Sequence, residues 1–351
     1  DFNGAKDSGE DDHIPPGNNA PDEIDLSHDA LALELGRLSW DRNAKFVAAW
    51  GRWLFWDGTR WTRDETLDHM TRCRAYLRKR AEELQEWAAR KADTLDDKDA
   101  QRIKDWAEDQ AKALRNKTTV AAVEAMAQSN PGSVARAQEF DTDLLKLGTP
   151  GGTVDLKTGV LHPAQRGDMI TKHVAVAPAP RGAVPALWLR FLSEVFNGDQ
   201  EIIGFMQRAA GYALTGLTTE HKLLFLHGTG RNGKSTFLDT LQWLVGDYAR
   251  RAAAQTFLYS QTQQHPTDIA GLQGARLVVG SELPKGKTWD EAVIKDLTGG
   301  DRMTARFMRG DFFDFDPQLT LMIAGNNMPS FRGVDEAIRA RVVLVPFTVT
   351  I

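Results

Sequence analysis

Apolar residues recur in two rhythms along the chain, and each points to a different element. From about Leu67 to Lys117, Leu, Ala and Trp return every three to four residues among blocks of charge. That spacing predicts two solvated helices, broken near "DTLDD". "SNPG" at 129–132 stops a further helix, and "PALWLRFLSEVF" and "QEIIGFMQRAAGYAL" predict two packed helices between 185 and 215. Strand patterns lie between them. "RWLFWDGTRW" sets Asp57-Gly58 between aromatic residues, a hairpin signal, and "GTVDLKTGVLHP" predicts a second hairpin turning at Lys157-Thr158-Gly159. Trp50, Trp53, Trp56 and Trp61 would serve either as a base-stacking platform or, the plainer reading, as a small aromatic core closing the first hairpin.

Beyond about residue 216 the character changes. Short apolar runs, "KLLFLH", "ARLVVGSE", "LTLMIAGNNMP" and "RVVLVPF", alternate with helical stretches and glycine-rich loops, as an α/β sheet domain requires. "KSTFLDTLQWLVG" is amphipathic, with Phe237, Leu238, Leu241, Leu244 and Val245 on one side. "DRMTARFMRGDFFDFDP" alternates as a hairpin with Arg309-Gly310-Asp311 at its tip, and "VPFTVTI" reads as a closing strand. The predicted division is a disordered tail or linker at 1–30, a mixed α+β domain at 31–184, a helical collar at 185–215 and the sheet domain at 216–351.

The length of 351 residues suits two or three domains, and 42% hydrophobic residues suffice for real cores. A net charge of -5 argues against a protein that coats nucleic acid, yet leaves room for a locally basic channel. The single cysteine, Cys73, excludes an internal disulfide framework. No run of about 18 apolar residues predicts a membrane span, and no signal-peptide pattern opens the chain. Asp at position 1 and a strand-like end suggest a piece of a longer polypeptide.

"GTGRNGKST", Gly228 to Thr236, fits two phosphate-binding patterns at once. Gly228, Gly230 and Gly233 spell G-x-G-x-x-G; Gly228, Gly233, Lys234 and Ser235 spell the Walker A pattern G-x-x-x-x-G-K-S. A dinucleotide fold wants an acid about 20 residues on; "RRAAAQTF" stands there instead. The Lys-Ser pair has a clear purpose in an NTPase. Loop N–H groups, from Gly228, Thr229, Gly230, Arg231, Asn232 and Gly233 to Thr236, would cradle phosphates, Lys234 would reach the β- and γ-phosphates, and Ser235 would ligate Mg²⁺. The expected ligand is therefore ATP or another NTP with Mg²⁺. Glu282, ending an apolar strand, is the candidate Walker B carboxylate beside metal and water. Asn326 is the candidate polar sensor at a strand tip, preferred over Asn327, although Asn-Asn-x-Pro also makes a good turn. Arg339 and Arg341, before the last apolar strand, are candidate arginine fingers or surface ion pairs with Asp335 or Glu336.

These motifs, with "HPTDIAGLQGARLVVGSE", "IKDLTGGDRMTARFMRGDFFDFDP" and "RARVVLVPF" in order, resemble superfamily 3 helicases, and more narrowly the helicase part of phage, plasmid and poxvirus primase-helicases. The resemblance covers roughly residues 40 to 349. It implies an AAA+-like P-loop ATPase domain preceded by a mixed, mainly helical domain with β-hairpins. It implies hexameric rings on single-stranded or forked DNA, ATP hydrolysis at subunit interfaces and 3′ to 5′ translocation. It also implies a primase or primase-polymerase domain in the same or a partner chain, and a place in the cytoplasm of a bacterial host. It favours Arg341 over Arg339 as the finger, and it aligns Lys295 to Arg309 with the DNA-facing hairpin, making Lys295, Arg306 and Arg309 candidate DNA contacts. Locally that segment is basic, so six copies would form a positive collar.

The chain departs from some relatives in having Ser281 where a second Walker B acid can stand. With one cysteine it has no zinc-ligand cluster for primer synthesis. An origin-melting or assembly factor without processive unwinding is the main alternative; a packaging motor or a nucleotide kinase would use the same loop, and of these the kinase needs neither the arginine pair before a terminal strand nor a basic hairpin.

Overall fold

A computed structural model describes residues 24–40, 42–259, 266–280, 287–327, 330–331 and 336–350. The chain forms two compact units, one from residues 1–42 and 66–134, the other from 43–65 and 135–351. Most of the expected tail, and Glu282, lie outside the described residues.

The first unit is helical. Ser27 accepts a bond from the Ala30 amide and starts α1 (His28–Glu34). The long charged helices are α2 (Asp68–Ala92) and α3 (Asp97–Leu114). The break between them falls at the acidic stretch, where the Asp96 side chain caps α3 by accepting from the Lys98 and Asp99 amides. Their buried stripe, Leu77, Ala81, Leu84 and Ala88 against Ala107, Ala111 and Leu114, follows i,i+4 spacing. Trp87 meets Trp106 edge-on at 6.2 Å. α4 (Lys117–Ala127) ends just before "SNPG". Cys73 is fully buried, and burial together with the nearby Glu124 carboxylate pushes its thiol up to about 12, which makes it chemically quiet.

The second unit opens with an antiparallel sheet of β1 (Ala44–Val47), β2 (Arg52–Trp56) and β3 (Trp61–Arg63). Asp57 Oδ1 accepts from the Thr59 and Arg60 amides and so shapes the turn. Trp53 and Trp61 are buried, and Trp56 packs edge-on against Trp61 at 5.7 Å, so the aromatic residues form a core. A second antiparallel sheet comprises β4 (Lys146–Thr149), β5 (Gly152–Asp155) and β6 (Val160–His162). The β5–β6 hairpin matches the sequence pattern; β4, whose "KLGT" has no alternation, is an addition.

Two helices follow, α5 (Ala186–Val195) and α6 (Gln200–Ala213). The remainder alternates β7 (Leu223–His227), α7 (Lys234–Val245), β8 (Ala249–Ala252), α8 (Pro266–Ala270), β9 (Leu277–Gly280), α9 (Glu291–Gly299), the hairpin β10 (Met303–Arg306) and β11 (Phe312–Phe315), β12 (Thr320–Gly325), α10 (Glu336–Arg341) and β13 (Val342–Pro346). Among the described residues, β13-β7-β12-β9-β8, in that order, form a five-stranded sheet that is parallel throughout. Alternate residues of β7 enter opposite layers. Leu224 and Leu226 pack with α5, α6 and α7, while Leu223 and Phe225 pack with α9. A strand covered on both faces reads as an unbroken apolar run, which is why these strands were visible in the sequence. The architecture is α/β.

Two expectations need correction. Leu244 is 37% exposed while Phe237, Leu238, Leu241 and Val245 are buried, because the buried stripe of α7 is narrower than the apolar pattern. The closing strand stops at Pro346, and residues 347–350 are not strand. Past Pro346 the Phe347 amide still donates to the His227 oxygen, but the Phe347 oxygen accepts from Asn232 Nδ2, so the chain leaves the ladder to hold the glycine loop.

Candidate active site

In a parallel sheet all carboxyl ends share one edge, and loops leaving that edge converge on a common crevice. β7 leaves it at His227 and enters the glycine loop; β12, paired beside β7 with Gly325 opposite His227, leaves it at Asn326. β9, which leads toward Glu282, is the next strand along.

The loop backbone is left-handed at Gly230 (φ 98°), Arg231 (φ 51°) and Gly233 (φ 84°). Two of its glycines answer to packing as well. A methyl at Gly228 would stand 2.0 Å from the Phe347 carbonyl oxygen, and one at Gly233 would stand 2.5 Å from Val195 Cγ1. Asn232, 3% exposed, ties the loop down: its Nδ2 donates to the Phe347 oxygen at 2.8 Å. The Phe347 amide in turn donates to the His227 oxygen at 2.8 Å.

α7 begins immediately after Gly233. The Lys234 side chain, 7% exposed, folds back over the loop. Its Nζ donates to the Gly228 oxygen at 2.7 Å, to Asn232 Oδ1 at 3.0 Å and to Asn326 Oδ1 at 3.3 Å. An ammonium only donates, so it fixes the oxygen of both amides toward itself. The structure thus brings together Asn232 of the glycine loop, Lys234 at the start of α7 and Asn326 just past the end of β12. Ser235 and Thr236, in the first turn of α7, are exposed, as are Thr229 and Arg231. The helix start leaves amide N–H groups without intrahelical partners. With a fixed cation, this set suits a multiply charged oxyanion. The exposed Ser235 hydroxyl is an oxygen donor suited to a hard cation.

The two arginines lie elsewhere. α10 precedes β13, so Arg339 and Arg341 stand at the amino edge of the sheet. Val342 pairs with Leu223 and Pro346 with His227, which puts roughly 13 Å of strand between Arg341 and the loop edge. Arg341 is half-buried; its Nε donates to Thr298 Oγ1 at 3.2 Å and its Nη1 to the Ala337 oxygen at 3.2 Å. Arg339 is exposed. Neither arginine reaches the loop of its own chain. No local pattern marks Thr298 as its partner, since 43 residues separate the two.

The candidate DNA contacts also separate. Lys295 is half-buried on α9. On the hairpin, Arg302 Nε pairs with Asp316 at 3.1 Å, directly across the register, and Thr304 donates to Asp314 at 2.7 Å. The Arg306 guanidinium lies over the Phe312 ring at 4.8 Å. Arg309, at φ 62°, is exposed at the tip beside Phe307 and Met308, which are 50% and 79% exposed. The expected collar of charge is therefore a mixed surface with an apolar tip.

Sequence reading also passed over Arg276, which is 2% exposed. Its Nη1 donates to the Leu214 oxygen at 2.6 Å and Nη2 to the Lys146 oxygen at 2.9 Å, and it lies over the Tyr248 ring at 4.4 Å. Burial lowers its pKa, and the contacts give it a structural task. Among the described residues, no group of three His, Cys, Asp or Glu could hold a metal, and no helix is long and apolar enough to cross a membrane.

Residues 36–197 match the family described as D5 N terminal like, and residues 226–341 match a family of unknown function, DUF5906. The protein named "Putative helicase L207/L206" of Acanthamoeba polyphaga mimivirus is 26% identical over 159 residues, 45% of this chain and 16% of its own length. "Putative helicase 022R" of Frog virus 3 is 29% identical over 180 residues, 48% of this chain and 18% of its own. The chain spans less than a fifth of the length of these relatives. Both come from viruses named for eukaryotic hosts, and neither supports a bacterial host. A solved structure, the A form apo C-terminal region of NrS-1, is 10% identical over 90% of this chain and 62% of its own, with a TM-score of 0.49, too weak a likeness for a shared fold to be argued from it. Its two family matches, neither spanning half of the chain, and its relatives named as putative helicases make this chain similar to viral helicases.

Proposed function

We propose that this chain is the ATP-driven motor part of a DNA helicase, with Gly228–Thr236 as its Walker A loop in an AAA+-like domain. The observation that carries the reading is the Lys234 ammonium. It is held at the start of α7 within hydrogen-bond reach of the loop and of Asn326 on the neighbouring strand.

The division of labour follows from position. Amides of the loop and first turn of α7 bind the phosphates, and Lys234 exchanges its amide and carbonyl acceptors for β- and γ-phosphate oxygens. Asn326, one strand over, orients the attacking water. Ser235 and Glu282 would hold Mg²⁺, which when bound neutralises charge building between the β- and γ-phosphates. Arg341, remote from its own loop, acts on the triphosphate of a neighbouring subunit, which requires a ring or an equivalent head-to-tail assembly. Arg339 is the second choice. The hairpin, with Arg306 and Arg309, and Lys295 on α9 contact single-stranded DNA. The preceding mixed domain (31–184) and the collar (185–215) would hold the motor domains (216–351) in register, and primer synthesis would belong to another part of the protein or to a partner. Translocation 3′ to 5′ completes the proposal.

A strand-displacement assay with forked DNA and Mg·ATP tests it. Duplex opening with DNA-stimulated hydrolysis is expected. DNA-stimulated hydrolysis without opening would instead favour an origin-melting or assembly factor, and absence of hydrolysis would reject the motor.

A further inference from the structure

Thr298 is a polar member of the buried stripe of α9. It is 2% exposed and shares that stripe with Ile294 and Leu297, which pack in one cluster with Ile338 of α10. A hydroxyl shut away from water is expected to be hydrogen-bonded, and this one is bonded in both senses. Oγ1 donates to the Ile294 oxygen at 2.6 Å, one turn back on α9, and accepts from Arg341 Nε at 3.2 Å. A hydroxyl has one proton. With that proton committed to the Ile294 carbonyl, Thr298 presents a lone pair to Arg341 and is a fixed acceptor for the guanidinium.

Arg341 is held without being neutralised. Its Nη1 donates to the Ala337 oxygen at 3.2 Å, one turn back on α10, and Lys222 Nζ donates to the Ala340 oxygen beside it at 2.7 Å. Among the described residues no carboxylate pairs with Arg341, in contrast to Arg302, which pairs with Asp316. A guanidinium carries five N–H donors in one plane. Two are taken, and among the described residues Nη2 has no bond, so it keeps both hydrogens for an anion. The hold lies in the last turn of α9, just before Gly300 closes the helix at φ 76°. There the partial negative charge of the helix end favours a cation.

We infer that Thr298 is a positioning residue for Arg341: its hydroxyl turns the guanidinium so that Nη2 stays free for the terminal phosphate of a nucleotide held by a neighbouring subunit. The neutral acceptor orients the cation and leaves its charge intact. A carboxylate in the same place would cancel the charge that acts on the phosphate. The inference rests on the proposed action of Arg341 in trans, and the test separates the two.

ATP turnover of the full chain is measured with radiolabelled ATP, and Mg·ADP affinity by isothermal titration, for Thr298→Val, Thr298→Ser, Arg341→Ala and the double variant Thr298→Val/Arg341→Ala. Valine keeps the shape of threonine and removes the acceptor, so kcat should fall by about tenfold to a hundredfold, the scale of a misplaced catalytic group. KM and ADP affinity should stay within about twofold. Serine keeps the hydroxyl, and its kcat should lie within about threefold of wild type. In the Arg341→Ala background valine should change the residual rate by no more than about twofold, because residues that act as a unit are not additive. Wild-type turnover in Thr298→Val, or valine and serine equally slow, overturns the inference, and so does a valine penalty of the same size without Arg341. Should the valine variant not fold, as a loss of ADP binding would show, Thr298→Ala carries the same expectations. Wild-type turnover in Arg341→Ala would instead reject Arg341 as the finger, and the positioning role with it.

Discussion

The glycine loop and the β10–β11 hairpin both carry cations, and the structure treats them in opposite ways. Lys234 is buried, bonded to three oxygens and aimed by the backbone that precedes it. The hairpin arginines are exposed; one is neutralised by Asp316, another is stacked on Phe312, and only Arg309 stands free at the tip. A cation positioned by tight turns and a helix start can act on a defined atom. A cation on a two-stranded ribbon is at the disposal of whatever lies opposite it. Motif spacing captures the first situation, and a count of charges does not capture the second.

The sharpest way to break this contrast is Lys234→Ala. Loss of the positioned ammonium should cut kcat for ATP hydrolysis by about a hundredfold or more, the scale of a lost transition-state donor. Steady-state turnover close to wild type would mean that the buried lysine is structural. Gly228→Ala examines the scaffold instead of the charge. The added methyl meets the Phe347 carbonyl, so the denaturant midpoint should fall by the equivalent of about 1–3 kcal/mol, the usual cost of overpacking. An unchanged midpoint with normal nucleotide binding would show a loop looser than described.

The hairpin gives the smallest effect. Arg309→Ala should reduce the dependence of log K on log salt for single-stranded DNA by about 0.7, the value of one phosphate contact. Arg302→Ala, whose charge is already paired, should leave that slope unchanged. Equal changes in the two variants would restore the picture of an undivided basic collar.

What was legible in the sequence follows the same division. β7, β9 and β12 are covered on both faces and appear as apolar runs. α7 announces itself by glycine before and periodic leucine within. β8 was passed over because its "ARRA" puts two arginines on an edge strand with exposed positions. The Arg302–Asp316 pair was readable in principle: once the tip is placed at Arg309-Gly310-Asp311, Met303 pairs with Phe315 and the flanking residues oppose each other. Arg276 could not be found so, since its partners Leu214 and Lys146 are backbone oxygens 62 and 130 residues away.

In the proposed motor one chain holds the triphosphate while its neighbour supplies the cation that accelerates transfer. ATP turnover in a mixture of two inactive proteins, Lys234→Ala and Arg341→Ala, tests that shared pocket. Each alone should be nearly inert, and mixing should restore a measurable fraction of wild-type activity at interfaces that combine an intact Lys234 with an intact Arg341. A mixture as inert as its parts, with Arg341→Ala still binding ATP, would contradict the shared pocket.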